Sequence, residues 1–206
     1  NEAFIIDTET RNRLIEEDPK SDEIIKPILR GEDVKAYVPE WAGKWIIGTF
    51  PALKLQIQDY PAIKRYLLHF KDRLEPKPKG YEGRWEGRKS GSYKWFETQD
   101  TISYHKEFVN PKIIYPNMTK YLPFVYDKGS FFINDKGFIM SGKYLSYLTL
   151  FFNSTLFRFC FKDKFPELLG ETRELRKVFF ETIPIKSIDA EKWFIDKLDS
   201  LPTTKR

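Results

Sequence analysis

Residues 111–140 read PKIIYPNMTKYLPFVYDKGSFFINDKGFIM and contain most of the strand-forming sequence of the chain. Strand-like runs, each composed mainly of apolar residues, lie at 112–115, 124–126 and 130–133. Short apolar runs bounded by proline, glycine, asparagine and aspartate are typical of β-strands. The segment 134–137 has turn chemistry, and the apolar run 138–140 behind it predicts a strand that pairs back as a hairpin. This stretch therefore indicates an antiparallel sheet.

More strands and several helices are predicted on either side of this stretch. Two further strands are expected, at residues 3–6 and 44–50. Three helices are predicted, over residues 60–74, 144–161 and 188–201. Apolar residues recur every three or four positions in the first of these helices, and the second is an apolar run too long for a typical strand. The sequence thus predicts an α+β class, with a mixed, antiparallel-rich sheet and flanking helices.

The composition excludes several classes of protein. The chain has 206 residues, of which 17% are aromatic, and a chain this aromatic is not disordered. Its one cysteine, Cys160, excludes an internal disulfide and multi-cysteine metal sites. Its two histidines, His69 and His105, lack the spacing of a zinc site. No apolar run reaches the roughly 18 residues of a membrane span, and no signal peptide is seen. We expect a cytoplasmic protein without membrane contact, metal or cofactor.

Charge is unevenly distributed along the chain, although the net charge of +5 is modest. Residues 1–40 hold 6 basic and 11 acidic side chains, whereas residues 41–130 hold 16 basic and 9 acidic ones. The densest basic stretch is 71–94, with 8 basic against 4 acidic residues. A local basic field beside an acidic or neutral body suits a face that binds a polyanion. The alternative is a solvated surface on which charges cluster by chance.

The segment 75–96 reads EPKPKGYEGRWEGRKSGSYKWF and differs from the rest of the chain. Its four glycines and its lack of apolar periodicity predict a long, flexible loop, and loops of this length in compact domains are usually functional or disordered. Arginine can bond guanine edges, lysine neutralises phosphate, and tryptophan or tyrosine can stack on a base. A structural alternative places Trp85 and Trp95 against the core, and for these two side chains we favour it.

No catalytic constellation is found in the sequence. The glycines at 80–87 do not form a phosphate loop, because no hydrophobic strand precedes them and no Gly-Lys-Ser/Thr follows. Cys160 stands among phenylalanines and is expected to be a buried structural thiol. Asp33-Val34-Lys35 resembles the end of a metal-nuclease motif, but its partner acid cannot be identified. We therefore predict that this chain is not itself an enzyme.

Several segments, taken in order, resemble the TaqI-like C-terminal specificity domain of adenine-specific DNA methyltransferases and fused type IIG restriction–modification enzymes. The most specific is Pro27-Ile-Leu-Arg-Gly-Glu-Asp-Val-Lys-Ala-Tyr37, which fits the family pattern Pro-x-Leu-Arg-Gly-x-Asp-x-x-x-Tyr. The opening residues 1–7 resemble the segment that joins the methyltransferase and specificity domains of that family. The other matching segments lie at 60–74, 95–97, 111–116, 150–156 and 183–185.

The resemblance departs from the family pattern at two positions, where Glu32 and Ala36 replace basic residues. This departure favours a structural turn, in which Asp33 caps the next segment and Arg30 forms a buried pair, over a strong phosphate contact. The first residue is Asn1, and the opening sequence reads as the middle of a domain, so we expect a piece of a longer protein.

The resemblance implies that residues 1–206 form a single specificity domain that recognises double-stranded DNA. A covalently linked methyltransferase domain would bind S-adenosylmethionine and flip the target adenine. The resemblance and the basic loop at 75–96 together predict two groups of DNA-binding residues. The first comprises Lys79, Arg84, Arg88, Lys89, Ser90, Ser92, Tyr93 and Lys94. The second comprises Lys112, Asn117, Thr119 and Lys120. We expect the chain to be monomeric.

Other functions stay open at this stage. A protein–protein module of a restriction or phage-defence complex would use the aromatic residues as interface anchors. RNA binding is a variant of the DNA hypothesis, and a free-standing nuclease lacks an acidic metal cluster. Salt dependence separates the first two classes, because only nucleic-acid binding weakens in proportion to the phosphates neutralised.

Overall fold

A computed structural model describes residues 3–185 of the chain. These residues form two compact units, one made of residues 3–28 and 43–106 and the other of residues 29–42 and 107–185. Residues 3–185 contain six α-helices and nine short strands, and five pairs of neighbouring strands are antiparallel. The α+β class predicted from the sequence is confirmed. The helix predicted at 188–201 lies outside the described residues.

The first unit contains three antiparallel strands. These are β1 (Ile5–Asp7), β2 (Ile25–Leu29) and β3 (Lys44–Ile47). Strand β3 lies between the other two, with Ile6 opposite Trp45 and Ile25 opposite Ile47. The strands predicted at 3–6 and 44–50 are therefore confirmed, although both are shorter than expected. Their apolar side chains form one face of the core of this unit.

Three helices complete the first unit: α1 (Thr8–Glu17), α2 (Pro61–Leu68) and α3 (Lys71–Leu74). The carboxylate of Asp7 caps α1 by accepting the Thr10 N–H at 2.8 Å. The predicted helix at 60–74 is interrupted after Leu68, because the next two N–H groups bond to carbonyls only three residues back. Phe70 then leaves the helical conformation, with φ −108° and ψ 6°.

The second unit is built on the stretch 111–140. It contains β4 (Lys112–Pro116), β5 (Met118–Thr119), β6 (Val125–Asp127), β7 (Phe132–Ile133), β8 (Gly137–Met140) and β9 (Arg173–Glu174). Strand β4 pairs with β6 on one side and with β8 on the other, whereas β5 pairs with β9. The predicted hairpin between 130–133 and 138–140 is therefore corrected: β8 pairs with β4, and the Asn134 N–H bonds to the Leu29 carbonyl.

Helices α4 (Leu145–Phe152), α5 (Thr155–Lys164) and α6 (Lys177–Phe180) surround this sheet. The predicted helix at 144–161 is split at Asn153 and Ser154. The Asn153 amide leaves the helix to bond the backbone N–H and C=O of Phe124, at 3.2 and 2.8 Å, and the Ser154 hydroxyl caps α5. Asn153 therefore ends α4, and Ser154 begins α5. Stacked and edge-to-face phenylalanines fill the space between sheet and helices.

Burial of Tyr115 in this aromatic core predicts a loss of stability at alkaline pH. Desolvation raises the pKa of its phenol from 10.0 to about 12. Above pH 10 the unfolded chain ionises this group while the folded chain keeps the proton, so stability falls as pH rises. The expected loss is at most about 1.4 kcal/mol per pH unit. Urea unfolding at about pH 9 and pH 11 measures it.

Tyr115→Phe is the matched variant, since it keeps the ring and removes the ionising hydroxyl. We expect it to lose less stability than the wild type between these two pH values. Equal losses in both proteins would show that other groups, such as lysines, cause the alkaline decrease.

Candidate functional site

The loop at 75–96, in the first unit, is organised around the guanidinium group of Arg88. This group donates to four backbone carbonyls. They belong to Leu74 (2.6 Å), Glu97 (2.7 Å), Lys94 (3.1 Å) and Trp95 (3.0 Å). The cation also lies 4.4 Å from the ring centre of Tyr93. Burial lowers the pKa of Arg88. One side chain thus ties the start of the loop to its end.

The backbone closes the base of the same loop. The Lys77 N–H bonds to the Arg88 carbonyl and the Arg88 N–H bonds to the Glu75 carbonyl, both at 2.9 Å. Gly87 lies so close to this closure that a Cβ atom there would stand 2.3 Å from the Glu75 oxygen. The Trp85 indole N–H bonds to the same oxygen at 3.1 Å. A side chain other than hydrogen at residue 87 would therefore force the closure apart.

The structure corrects the prediction of DNA contacts for Arg88 and Tyr93. The donors of Arg88 point at backbone carbonyls, so they are not available to a base or phosphate. Tyr93 is buried, and its hydroxyl bonds to the Lys89 carbonyl. These contacts join the two ends of the loop, whereas residues 78–84 between them are exposed. Sequence cannot distinguish an arginine that binds its own backbone from one that faces a ligand.

The remaining predicted residues of the loop are exposed. They are Lys79, Arg84, Lys89, Ser90, Ser92 and Lys94. Within residues 3–185, none of the four cations among them forms an ion pair with a carboxylate. These four cations are therefore unpaired, although the exposed Glu82 and Glu86 lie on the same loop. We call these six residues the loop face.

The structural alternative is confirmed for Trp95 but not for Trp85, which lies at the surface of the loop. Trp95 packs against the core of the first unit and meets Phe96 edge to face, with ring centres 5.7 Å apart. Trp85 is half-buried and meets the exposed ring of Tyr81 edge to face at 5.4 Å. A shallow pocket of about 710 Å³ lies beside these two rings and is also lined by Arg84. Tyr81 was not predicted, although its aromatic character was a usable signal.

The second group of predicted residues lies in the second unit and is divided by burial. Lys112 is 0% exposed, and its ammonium group donates to the Phe108 carbonyl at 2.5 Å and to the carboxylate of Asp127. Burial lowers the pKa of Lys112 and the contact with Asp127 opposes this shift. The predicted DNA contact is therefore corrected, because an ammonium group without exposed surface cannot reach a phosphate. Lys112 instead has a structural role, because its ion pair with Asp127 joins β4 to β6.

Asn117 and Thr119 line a surface cleft of about 470 Å³. Lys120, the residue after β5, is exposed. The Thr119 hydroxyl bonds to the Tyr121 carbonyl at 3.0 Å. The cleft is also lined by residues that were not predicted: Lys35, Met118, Tyr121 and Lys136. They come from three separate segments, so no spacing in the sequence indicates that they meet.

The turn at Arg30 borders this cleft and has the structural role that the sequence favoured. The Arg30 guanidinium donates to both oxygens of the Asp33 carboxylate, with the closest contact at 2.7 Å, and Asp33 accepts the Arg30 N–H at 2.8 Å. These hydrogen bonds raise the pKa of Arg30. The predicted pair of Arg30 and Asp33 is confirmed, but it is not buried as predicted, because the Arg30 side chain is 39% exposed. The prediction that Asp33 caps the next segment is corrected, since Asp33 caps the N–H of Arg30 in its own turn.

Residues 3–185 hold no cluster of three or more His, Cys, Asp or Glu side chains that could bind a metal ion. None of the helices in this part of the chain is long and apolar enough to span a membrane.

Comparison with known proteins yields one family. The model of the TaqI-like C-terminal specificity domain matches residues 26–185, which is most of the chain. The match includes the turn at Arg30, the loop face and the cleft. No curated protein matches the chain.

Proposed function

The chain belongs to the TaqI-like C-terminal specificity domain family, a family of DNA-recognition domains, and from this we propose that it reads a sequence in double-stranded DNA. The chain serves as the non-catalytic recognition domain of a restriction–modification enzyme. The loop face supplies phosphate and base contacts, and the cleft beside Lys120 supplies a second set. Arg88 and Lys112 maintain the surfaces that carry these contacts.

One observation carries the proposal: four cations of the loop face are exposed and lack ion pairs among the described residues. Four unpaired cations against two exposed glutamates, Glu82 and Glu86, leave a net positive charge on the surface of this long loop, which gives a local positive potential. Serine hydroxyls between them can bond to base edges or phosphates. Because Arg88 fixes the loop before binding, little ordering entropy is lost when DNA is bound.

The finer part of the proposal concerns the enzyme to which the domain belongs. We propose a covalently linked, adenine-specific methyltransferase domain, with or without a fused type IIG nuclease, that acts in the cytoplasm. That domain would bind S-adenosylmethionine and modify an adenine turned out of the duplex. The recognition domain would hold the duplex in register for this reaction. No residue of the present chain is assigned to the cofactor.

The proposal predicts a steep salt dependence of DNA binding. Fluorescence anisotropy of a labelled duplex is measured against the chain at about 50 and 200 mM salt, between which six phosphate contacts would weaken binding by roughly 10³-fold. Arg84→Ala, Lys89→Ala and Lys94→Ala should each reduce the slope of log K against log salt by about 0.9 if the replaced cation contacts one phosphate.

Lys162→Ala serves as the matched control, since this exposed lysine of α5 lies outside both predicted surfaces. Its slope should equal that of the wild type. If all three loop variants kept the wild-type slope, the loop face would not be the DNA-binding surface. Salt-independent binding of a protein partner, with no DNA binding, would instead support an interaction module.

A further inference from the structure

The segment 168–171, which we call the tip, exposes an apolar side chain on a tightly held turn. Leu169 is 97% exposed, the largest value among the exposed apolar side chains of the described residues, and Leu168 before it is 38% exposed. A single exposed leucine is common on protein surfaces and indicates no function by itself. The contacts around the tip distinguish Leu169 from other exposed leucines.

The tip is held rigidly at its base. The Leu168 N–H bonds to the Thr172 carbonyl at 2.7 Å, and the Thr172 hydroxyl bonds to the Leu169 carbonyl at 2.8 Å. Below them, Arg173 donates to the Glu167 carboxylate at 2.8 Å and to the carbonyl of the buried Phe165 at 2.6 Å. The leucine therefore projects from a fixed support.

The backbone of the tip is strained. Gly170 and Glu171 follow each other in the left-handed region, with φ of 70° and 64°. Glycine accepts this conformation readily, but glutamate does so at a cost. Strained residues persist where surrounding contacts hold them, and they occur often at functional sites. Here the strain keeps the chain in the sharp reversal that places Leu169 at its outermost point.

Lys120 lies beside the tip, and the tip itself carries the exposed side chain of Glu171. Thr119 of β5 is opposite Arg173 of β9, so the residues after Thr119 lie beside the tip. A Cβ atom at Gly170 would stand 4.0 Å from the ammonium nitrogen of Lys120. Tyr121 is 74% exposed, and Lys120 forms no ion pair within residues 3–185. The Leu169 side chain can contact stacked rings, and the Lys120 ammonium group beside it can contact a phosphate. The pair therefore suits a ligand that contains both, such as a nucleic acid.

We propose that the tip inserts Leu169 between two base pairs of the bound duplex while Lys120 contacts the adjacent phosphate. This inference rests on the proposed function and adds a mode of recognition to it. Proteins that widen or kink DNA use leucine and other apolar side chains as wedges between base steps, usually from the minor groove. The domain would then prefer a base-pair step that unstacks easily. Such a preference discriminates between DNA sequences without hydrogen bonds to a base.

The test begins with duplexes selected by the wild-type chain from a randomised pool. Permanganate then oxidises thymines that are unstacked in the complex. We expect one or two reactive thymines with the wild type and, with Leu169→Ala at saturating protein, the low reactivity of free duplex. The variant should bind the selected duplex about tenfold more weakly, as expected for one leucine side chain that is no longer buried.

Two variants make the result specific. Leu156→Ala removes another exposed leucine, 65% exposed on α5, and should leave reactivity and affinity unchanged. Lys120→Ala should weaken binding and reduce the salt slope, but it should keep the reactive thymines at saturation. Binding with every thymine protected in the wild-type complex, or equal reactivity with Leu169→Ala, would overturn the wedge alone. No DNA binding by the wild type would overturn the proposed function as well.

Discussion

Arg88→Ala is expected to destabilise the chain by about 3–5 kcal/mol and to abolish DNA binding through the loop face. The variant leaves four carbonyls without their common donor. A fully buried acceptor that loses its partner costs about 1–3 kcal/mol, but three of these contacts are only partly buried and the one to Lys94 is exposed. Partial hydration of the freed carbonyls keeps the total below the sum. Urea unfolding measures the loss of stability, and anisotropy at low salt measures the loss of binding.

The controls separate a structural arginine from a contacting one. Arg84→Ala removes an exposed arginine of the same loop and should change stability by less than about 0.5 kcal/mol while it weakens DNA binding. Arg88→Lys keeps the charge but lacks the planar fork, and it should recover only part of the stability. It also provides a measurement if Arg88→Ala does not fold. Wild-type stability in both Arg88 variants would show that the loop does not depend on this side chain.

Lys112→Met is expected to lower the free energy of unfolding by about 3–5 kcal/mol, because it leaves a buried carboxylate without its cation. Asp127 is 5% exposed, and its carboxylate also accepts the N–H groups of Ser130 and Phe131 at 3.1 Å. Loss of Lys112 therefore strains the turn between β6 and β7 as well as the pair itself. Thermal and urea unfolding of the variant measure the effect.

A double-mutant cycle identifies the source of this loss. In Lys112→Met combined with Asp127→Asn, no unpaired charge remains, so the double variant should be more stable than the sum of the single losses predicts. The exposed pair Lys177–Glu181 gives the comparison, because its removal should cost less than about 0.5 kcal/mol. Additive losses in the cycle would contradict a coupled pair.

Much of the fold could be predicted because its strands are short apolar runs between turn residues. Helix α1 could not, since only Leu14 of its ten residues is buried and its stability depends on the Asp7 cap and on packing. The interruptions at Phe70 and Asn153 were also missed. In both places an apolar pattern continues across the break, while backbone and amide hydrogen bonds decide where the helix ends.

The candidate site could be predicted as a region but not residue by residue. Glycine content and basic charge indicated the loop at 75–96, and its exposed cations agree with that hypothesis. The same signals also selected Arg88 and Lys112, because sequence gives the charge of a side chain but not its burial. Lys35 and Lys136 were missed because they are about 100 residues apart in the sequence. Only the fold brings them to the same cleft, and a sequence pattern shows neighbours within one helix or strand.

The closure of the loop at Glu75, Lys77 and Arg88 has a consequence for how specificity could diversify. Residues 78–84 leave the closure and return to it, and each of their side chains is exposed. Insertions within them would cost loop-closure entropy, about 0.6 kcal/mol for a doubling of length, together with the contact between Tyr81 and Trp85. We therefore expect residues 78–84 to tolerate changes in both identity and number while the closure around them is kept.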